Sequence, residues 1–283
     1  MIFPQLISGI TVDDLAFSVK VYALVVSIVG VILSTKKFTR IWKTRHLRKV
    51  WGIKNGQYVI VVCSELDDAF ARQHIEPKEF IYNLKYGDVD AYFEVIITLL
   101  RLYPNIKLRV MSAGEVESTR IDLAQHLILI GGPDYNTLTE RILKKNITRY
   151  DYRSPYVSIQ SKKYPGEIVI YDKIIDVEYS EIEDEKDYGY LEKITNPNNP
   201  ECQILLFGGC HTIGVTGAVK AFSMAESEHG EIPKIVLKNA KLVAKSLKKS
   251  RDFSVLVSTE RVSQTINTPI VDEKMITVGN EKK

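Results

Sequence analysis

The chain has 283 residues, 45% of them hydrophobic and 26% charged, with a formal net charge of +3. Eight of its 38 Lys and Arg but only two of its 35 Asp and Glu lie in residues 1–50, so the remainder has a formal net charge of −3. This remainder lacks the basic surplus typical of nucleic-acid-binding domains, and we expect no nucleic-acid partner. The three cysteines have no CxxC spacing and the five histidines have no paired ligand spacing, which argues against a disulfide framework and a resident metal.

The first 50 residues predict a membrane anchor. Residues 15–35 are apolar apart from Lys20 and a few hydroxyl side chains, and residues 36–49 then carry seven Lys or Arg. A run of roughly 20 apolar residues can cross a bilayer as a helix, and basic residues stay on the cytoplasmic side. A cleaved signal peptide and a buried or interfacial helix are the alternatives.

We therefore predict a single-pass protein of the cell membrane with its N-terminus outside. It consists of a short extracytoplasmic segment (1–14), a transmembrane helix (15–35) and a basic juxtamembrane segment (36–50) that contacts anionic lipid. A cytoplasmic body follows at 51–265.

Apolar runs in this body alternate between strand and helix patterns. Continuous β-branched runs predict buried strands, and the apolar periodicity of 88–103, which ends at Pro104, predicts a helix. The predicted strands are 58–63, 107–111, 126–130, 168–171, 203–207 and 254–257, and further predicted helices are 137–145, 217–225 and 239–249. This alternation predicts an α/β fold with a Rossmann-like parallel or mixed sheet flanked by helices.

Two segments depart from the alternation. Residues 144–200 are rich in Tyr, Asp, Glu and Pro and are predicted to form a small β insertion. Residues 266–283 have no apolar periodicity, and we expect a flexible tail.

Two similar glycine turns are the main candidates for ligand contact. The segments HLILIGGPDYN (126–136) and QILLFGGCHTIG (203–214) each place an apolar strand, a Gly-Gly pair and polar residues before a helix. Ligands of open α/β sheets bind where strand carboxyl ends meet helix N-termini, whose free N–H groups suit phosphate. We expect a small phosphorylated ligand to contact Gly131, Gly132, Asn136, Gly208, Gly209, Thr212, Gly214 and Thr216. Neither turn matches a complete nucleotide-binding fingerprint, and tight turns or helix caps are the alternative explanation.

Asp187 and Tyr188 lie shortly before the second turn. A carboxylate near a phosphate loop can accept a ribose hydroxyl, and a tyrosine ring can stack on a base. We expect both residues to contact the ligand, and a β-turn on an acidic surface is the alternative.

The order of these motifs resembles a known family. The motif residues are Gly131, Gly132, Pro133, Asn136 and Thr139, then Asp187, Tyr188, Gly189, Asn196 and Pro197, then Gly209, Gly214, Thr216 and Ala218. They resemble an uncharacterised Rossmann-like domain of bacteria and archaea that sometimes follows helix-turn-helix regulators or transmembrane helices. The resemblance covers roughly residues 58–225, and Val215 separates Gly214 from Thr216 where the family pattern has Gly directly before Thr. It implies a sensory or effector role and brings no catalytic residues.

Glu94 and His211 are the candidate catalytic residues. Glu94 is a carboxylate among apolar residues of a predicted helix, and His211 follows the second Gly-Gly pair. No coupled acid and base pair is recognisable, so we expect a membrane-anchored sensor or effector that binds a nucleotide or a related phosphorylated molecule. The alternatives are an enzyme that cleaves the N-glycosidic bond of a nucleoside or an NAD-like substrate, and a non-catalytic membrane scaffold. We expect Mg²⁺ only together with a diphosphate ligand, and a homo-oligomer is an open possibility.

Overall fold

The computed structural model describes residues 12–65, 88–133, 135–145, 150–153, 165–170, 173–178, 184–226, 231–248, 250–263 and 265–279. The chain forms two compact units, divided between Arg45 and His46.

A single helix, α1 (Val12–Trp51), includes both the predicted transmembrane segment and the basic segment after it. In the part of the chain that the structure describes, no helix is long and apolar enough to cross a membrane. The transmembrane helix predicted at 15–35 is therefore wrong, and so is the single-pass location at the cell membrane that depended on it.

The second unit is built on one mixed sheet. Its strands are β1 (Tyr58–Cys63), β2 (Lys107–Ser112), β3 (His126–Ile130), β7 (Asp184–Thr195), β8 (Gln203–Gly209), β9 (Phe253–Val262), β10 (Thr265–Ile266) and β11 (Ile276–Val278). Their order is β10-β9-β7-β8-β3-β1-β2, with β11 paired to β9. Strands β2, β1, β3 and β8 are parallel neighbours, whereas β7 runs antiparallel to both β8 and β9. The predicted α/β fold with a mixed sheet and helices is observed, without the transmembrane helix.

Helices cover both faces of this sheet. They are α2 (Val89–Leu102), α3 (Ala113–Ser118), α4 (Thr137–Lys144), α5 (Thr212–Lys220) and α6 (Lys234–Ser246), and a 3₁₀ turn forms at Glu273–Met275. Successive strand residues point to opposite faces, so Val59 and Val61 pack with α2, α5 and α6, whereas Ile60 and Val62 pack with α3 and α4. These continuous apolar strands explain why the sequence predicts them well.

The described strands within 144–200 belong to two different sheets. Strands β4 (Tyr150–Arg153), β5 (Pro165–Ile170) and β6 (Lys173–Glu178) form a separate antiparallel sheet, while β7 joins the main sheet. In the segment expected to be a flexible tail, β11 pairs with β9, with Ile276 opposite Val255.

The order of the parallel strands places a topological switch point at β1. The chain leaves β1 for β2 on one side and later returns to β3 on its other side, which opens a crevice at the carboxyl ends of β1 and β3. Helices α2 and α5 pack on the same face of the sheet, and both begin close to this edge.

A buried lysine lies towards the opposite edge of the sheet. The Nζ of Lys193, on β7, donates a hydrogen bond of 2.9 Å to the backbone carbonyl of Lys49 near the end of α1 and lies over the ring of Phe253. Burial is the main cause that lowers the pKa of Lys193 to about 7, and the nearby carboxylate of Asp252 opposes this effect. Lys193 is therefore an uncommon buried amine that loses its charge near neutral pH.

We predict that Lys193 makes the folded protein more stable as the pH rises from 7 to 9. An unfolded lysine keeps a pKa near 10.4, so between the two pKa values the unfolded chain holds the extra proton and the free energy of unfolding increases with pH. The increase should be about 2 kcal/mol relative to Lys193→Met in urea unfolding. Lys238→Met, at an exposed site, should retain the wild-type pH dependence. Identical pH profiles of wild type and Lys193→Met would contradict the assignment.

Candidate functional site

The crevice between β1 and β3 is built around Ser64 and Asp88. The Oγ of Ser64 lies 2.9 Å from Asp88 Oδ2 and 3.1 Å from the carbonyl oxygen of Ile130. The Ser64 hydroxyl has a single proton to donate to these two acceptors. Burial raises the pKa of Asp88, while hydrogen bonds with Ser64 and Thr212 oppose the rise. Asp88 also has a φ of 51°, an uncommon left-handed conformation for a residue with a side chain.

The first glycine turn is tightly filled by the protein itself. Gly131 has a φ of 96°, and a Cβ at this position would overlap the hydroxyl of Ser64. Asn136 is the N-cap of α4, where its Oδ1 accepts from the backbone N–H of Thr139 at 3.1 Å and its Nδ2 donates to the carbonyl of Ile130 at 3.0 Å. Gly132 accepts from the backbone N–H of Asn136 at 3.0 Å. Each of these expected ligand contacts thus has a role within the folded chain.

Asp187 occupies the N-terminus of α5. Its Oδ2 accepts from the backbone N–H groups of Gly214 at 2.6 Å and His211 at 3.1 Å, and its Oδ1 accepts from that of Tyr188 at 2.7 Å. The residue is only 1% exposed. A carboxylate in this position satisfies free N–H groups and interacts favourably with the helix dipole. The helix end that the sequence predicted for phosphate therefore already holds an anionic side chain.

The second glycine turn lets α5 lie directly on β7 and β8. A Cβ on Gly214 would overlap the carbonyl oxygen of Tyr188, and one on Gly208 would overlap the ring of Tyr190. A Cβ on Gly209 would lie 2.5 Å from the backbone nitrogen of Val215. These glycines serve close backbone packing, which is one of the two explanations that the sequence left open.

The remaining predicted residues lie at different depths around α5. Thr212 is the exposed first residue of the helix, and His211 precedes it with Nδ1 3.5 Å from Asp187 Oδ1. Tyr188 is half-buried. Thr216, which the sequence placed at the start of a helix, lies inside α5 because Asp187 caps the helix one turn earlier than predicted.

An open cleft of about 340 Å³ lies between α2 and α5, next to β10. The lining residues that matter for its chemistry are Asp90, Phe93 and Glu94 of α2, Thr216 and Lys220 of α5, and Ile266 of β10. The sequence had singled out Glu94 and Thr216 and had missed the others, because only the packing of α5 on α2 brings the two helix faces together.

Glu94 is the most perturbed acid of this cleft. Its side chain is 13% exposed, its Oε2 accepts a hydrogen bond from the hydroxyl of Ser223, and its Oε1 lies 3.9 Å from Lys220 Nζ. Lys220 also forms an ion pair with Glu226. Burial raises the pKa of Glu94, Ser223 and Lys220 oppose the rise, and the negative charges of Glu226 and Asp90 add to it. In the lining, the two carboxyl groups of Asp90 and Glu94 outnumber the one ammonium group of Lys220.

Thr216 lines the cleft and has a hydroxyl without a hydrogen-bond partner among the described residues. The residue is 1% exposed, and no described group of the protein hydrogen-bonds its Oγ1. A buried hydroxyl without a partner costs free energy, and a threonine inside a helix usually bonds the carbonyl four residues earlier. Thr216 thus lines the cleft with a buried Oγ1 that has no hydrogen-bond partner among the described residues.

We predict that Gly214→Ala destabilises the protein by about 3 kcal/mol, near the upper end of the cost of overpacking. The added methyl group would meet backbone atoms of Tyr188 and the carboxylate of Asp187, which cannot move without separating α5 from the sheet. Urea unfolding measures the effect. Gly30→Ala is the control, because a Cβ there meets nothing within 4 Å. An equal effect of the two substitutions would show that the close packing of α5 does not matter for stability.

Comparison of the chain with protein-family models, with curated proteins and with solved structures found no match. The resemblance to a Rossmann-like sensory domain therefore stays a prediction from the motif residues.

Proposed function

We propose that this protein binds a nucleoside-type small molecule in the cleft between α2 and α5, and that it acts as a sensor. The observation that carries the proposal is that two residues line one open cleft. They are Glu94, whose carboxyl group is mostly buried, and Thr216, whose buried hydroxyl has no partner among the described residues. Ligand sites characteristically combine a concave surface with a few polar groups that lack partners within the protein.

The lining of the cleft favours a planar ring joined to hydroxyl groups. Phe93 is 56% exposed at the cleft and offers an aromatic face on which a base can stack. Glu94 can accept hydrogen bonds from sugar hydroxyls, and Thr216 can donate one or accept one. A ribose with an attached base combines these features.

The charges of the cleft favour the nucleoside over its phosphate. Lys220, the basic residue of the lining, already contacts Glu94 and Glu226, and Asp90 adds a further negative charge. Asp187 occupies the N-terminus of α5, where the sequence had placed a phosphate contact. The ligand proposed here is therefore uncharged or cationic in the part that enters the cleft.

A sensing role is supported by two features. The motif resemblance is to domains that accompany regulators, and the described residues that line the cleft include no Ser, Cys or His.

We predict that Thr216→Val weakens adenosine binding about tenfold, since a single hydrogen bond is lost. Because the hydroxyl has no partner among the described residues, the same substitution should leave the free energy of unfolding unchanged or increase it. Isothermal titration calorimetry and urea unfolding measure the two effects. Thr139→Val is the matched control, because Thr139 is also buried in a helix with an unsatisfied Oγ1 but lies in α4, away from the cleft.

Adenosine and adenosine monophosphate should differ in the same experiment. Adenosine is expected to bind to the wild type at least as tightly as the monophosphate, because the carboxylates that line the cleft repel the negatively charged phosphate group. Tighter binding of the monophosphate, or saturable binding of neither compound, would refute the proposed ligand class.

Cleavage of an N-glycosidic bond is a second candidate function, favoured by the raised pKa of Glu94. A carboxyl group whose pKa is raised by burial suits general acid–base chemistry at a glycosidic bond.

If adenosine is a substrate, Glu94→Gln should reduce the release of adenine by about 10² to 10⁴-fold, the usual contribution of a general acid or base. Chromatographic detection of free adenine measures it, and binding should change much less. We expect intact adenosine after long incubation with the wild type, in agreement with sensing. Adenine release that Glu94→Gln abolishes would replace the sensing proposal by the enzymatic one.

A further inference from the structure

Helix α6 (Lys234–Ser246) carries a straight row of exposed lysines. Lys234, Lys238, Lys241 and Lys245 follow one another at intervals of four, three and four residues, which places them on one face of the helix. Lys248 follows directly after the helix and is also exposed. Among the described residues from 234 to 248, only these five lysines are exposed. We call them the lysine stripe.

In the part of the chain that the structure describes, no acidic side chain pairs with the lysine stripe. Helix α6 contains no Asp or Glu, and within the described residues no carboxylate forms an ion pair with any of the five lysines. Like charges three or four residues apart destabilise a helix by about 0.2–0.5 kcal/mol per pair, and Lys234 opposes the helix dipole at the N-terminus. The stripe therefore reduces the stability of the helix that carries it.

The rest of α6 holds the stripe rigidly. Val236, Ala240 and Val243 on the opposite face are buried in the core. Asn239 fixes the helix further, because its Nδ2 donates to the carbonyls of Ala221 at 3.1 Å and Pro269 at 2.9 Å. Four positive charges are thus presented in a line about 16 Å long, at 1.5 Å of rise per residue.

We propose that the lysine stripe binds the phosphate backbone of double-stranded nucleic acid without sequence preference. Duplexes have one negative charge per roughly 1.7 Å of axis, so a line of lysines meets several phosphates at once. The stripe offers no Arg, Asn or Gln among its exposed residues for reading base edges, so its contacts position the protein on the backbone and do not specify a sequence.

The composition of the stripe disfavours the other polyanionic partners. Single-strand binding relies on aromatic side chains that stack on bases, and the exposed residues of α6 include none. A protein interface has an apolar centre, and here every exposed residue is a lysine. This inference departs from the expectation drawn from the net charge of −3, because a rigid duplex contacts one local surface and does not sense the sum over the molecule.

The test uses the full chain and a fluorescein-labelled 20-base-pair DNA duplex of random sequence, with binding followed by fluorescence anisotropy at several salt concentrations. The stripe variant combines Lys234→Gln, Lys238→Gln, Lys241→Gln and Lys245→Gln. The matched control combines Lys54→Gln, Lys107→Gln, Lys145→Gln and Lys274→Gln, which removes the same charge from exposed lysines elsewhere.

For the wild type we expect log K to fall with log salt at a slope of about −4, as four phosphate contacts require. The stripe variant should lose at least tenfold in affinity at 50 mM salt and most of this slope, whereas the control variant should stay close to wild type. Two double variants, Lys234→Gln with Lys238→Gln and Lys241→Gln with Lys245→Gln, should each lose about half of the slope, and they keep the test decisive if the quadruple variant does not fold.

Three outcomes would overturn the proposal. The first is wild-type affinity in the stripe variants, and the second is an equal loss in the control variant, which would indicate net charge alone. The third is tighter binding of polyglutamate or of a single strand than of the duplex, which would assign the stripe to an acidic protein or to single-stranded nucleic acid.

Discussion

The carboxylate of Asp187 at the N-terminus of α5 is the interaction on which the candidate site depends. Its hydrogen bonds to the N–H groups of Gly214 and His211 hold the helix against β7, and glycines at the contact allow the two backbones to approach closely. The position of α5 in turn determines which residues face α2. Thr216 and Lys220 line the cleft with Glu94 because the helix is fixed at this depth on the sheet.

The same interaction fills the helix end at which the sequence predicts a phosphate contact. Free N–H groups at a helix N-terminus attract an anion, and in this fold the anion is a side chain of the neighbouring strand. One buried hydroxyl that lacks a partner among the described residues, that of Thr216, lies one turn farther along α5, and Thr216 lines the cleft. The candidate site therefore lies in the cleft between α2 and α5 and not at the edge of the sheet.

Charges buried in this unit are placed at separate positions. Asp88 lies at the switch point, Glu94 lies in the cleft, and Lys193 lies towards the opposite edge of the sheet. Burial raises the pKa of the two acids and lowers that of the lysine, which favours the neutral form of each. Buried ionisable groups reduce stability unless they are well paired. Glu94 lines the cleft, whereas Lys193 joins the end of α1 to β7 through the carbonyl of Lys49.

The sequence by itself determined the α/β class, the strands β1, β3 and β8 and the helix α2 to within a few residues, because uninterrupted apolar runs and helical periodicity are local signals. It also identified Glu94, a carboxylate on an apolar helix. Only the tertiary structure decided that β7, with its charged residues Asp187 and Lys193, is a central strand, since the partners of both charges lie far away in the chain. The start of α5 and the cleft were equally inaccessible to sequence reasoning. A helix cap supplied by another strand and a surface shared by two helices are long-range contacts, which no local pattern of residues encodes.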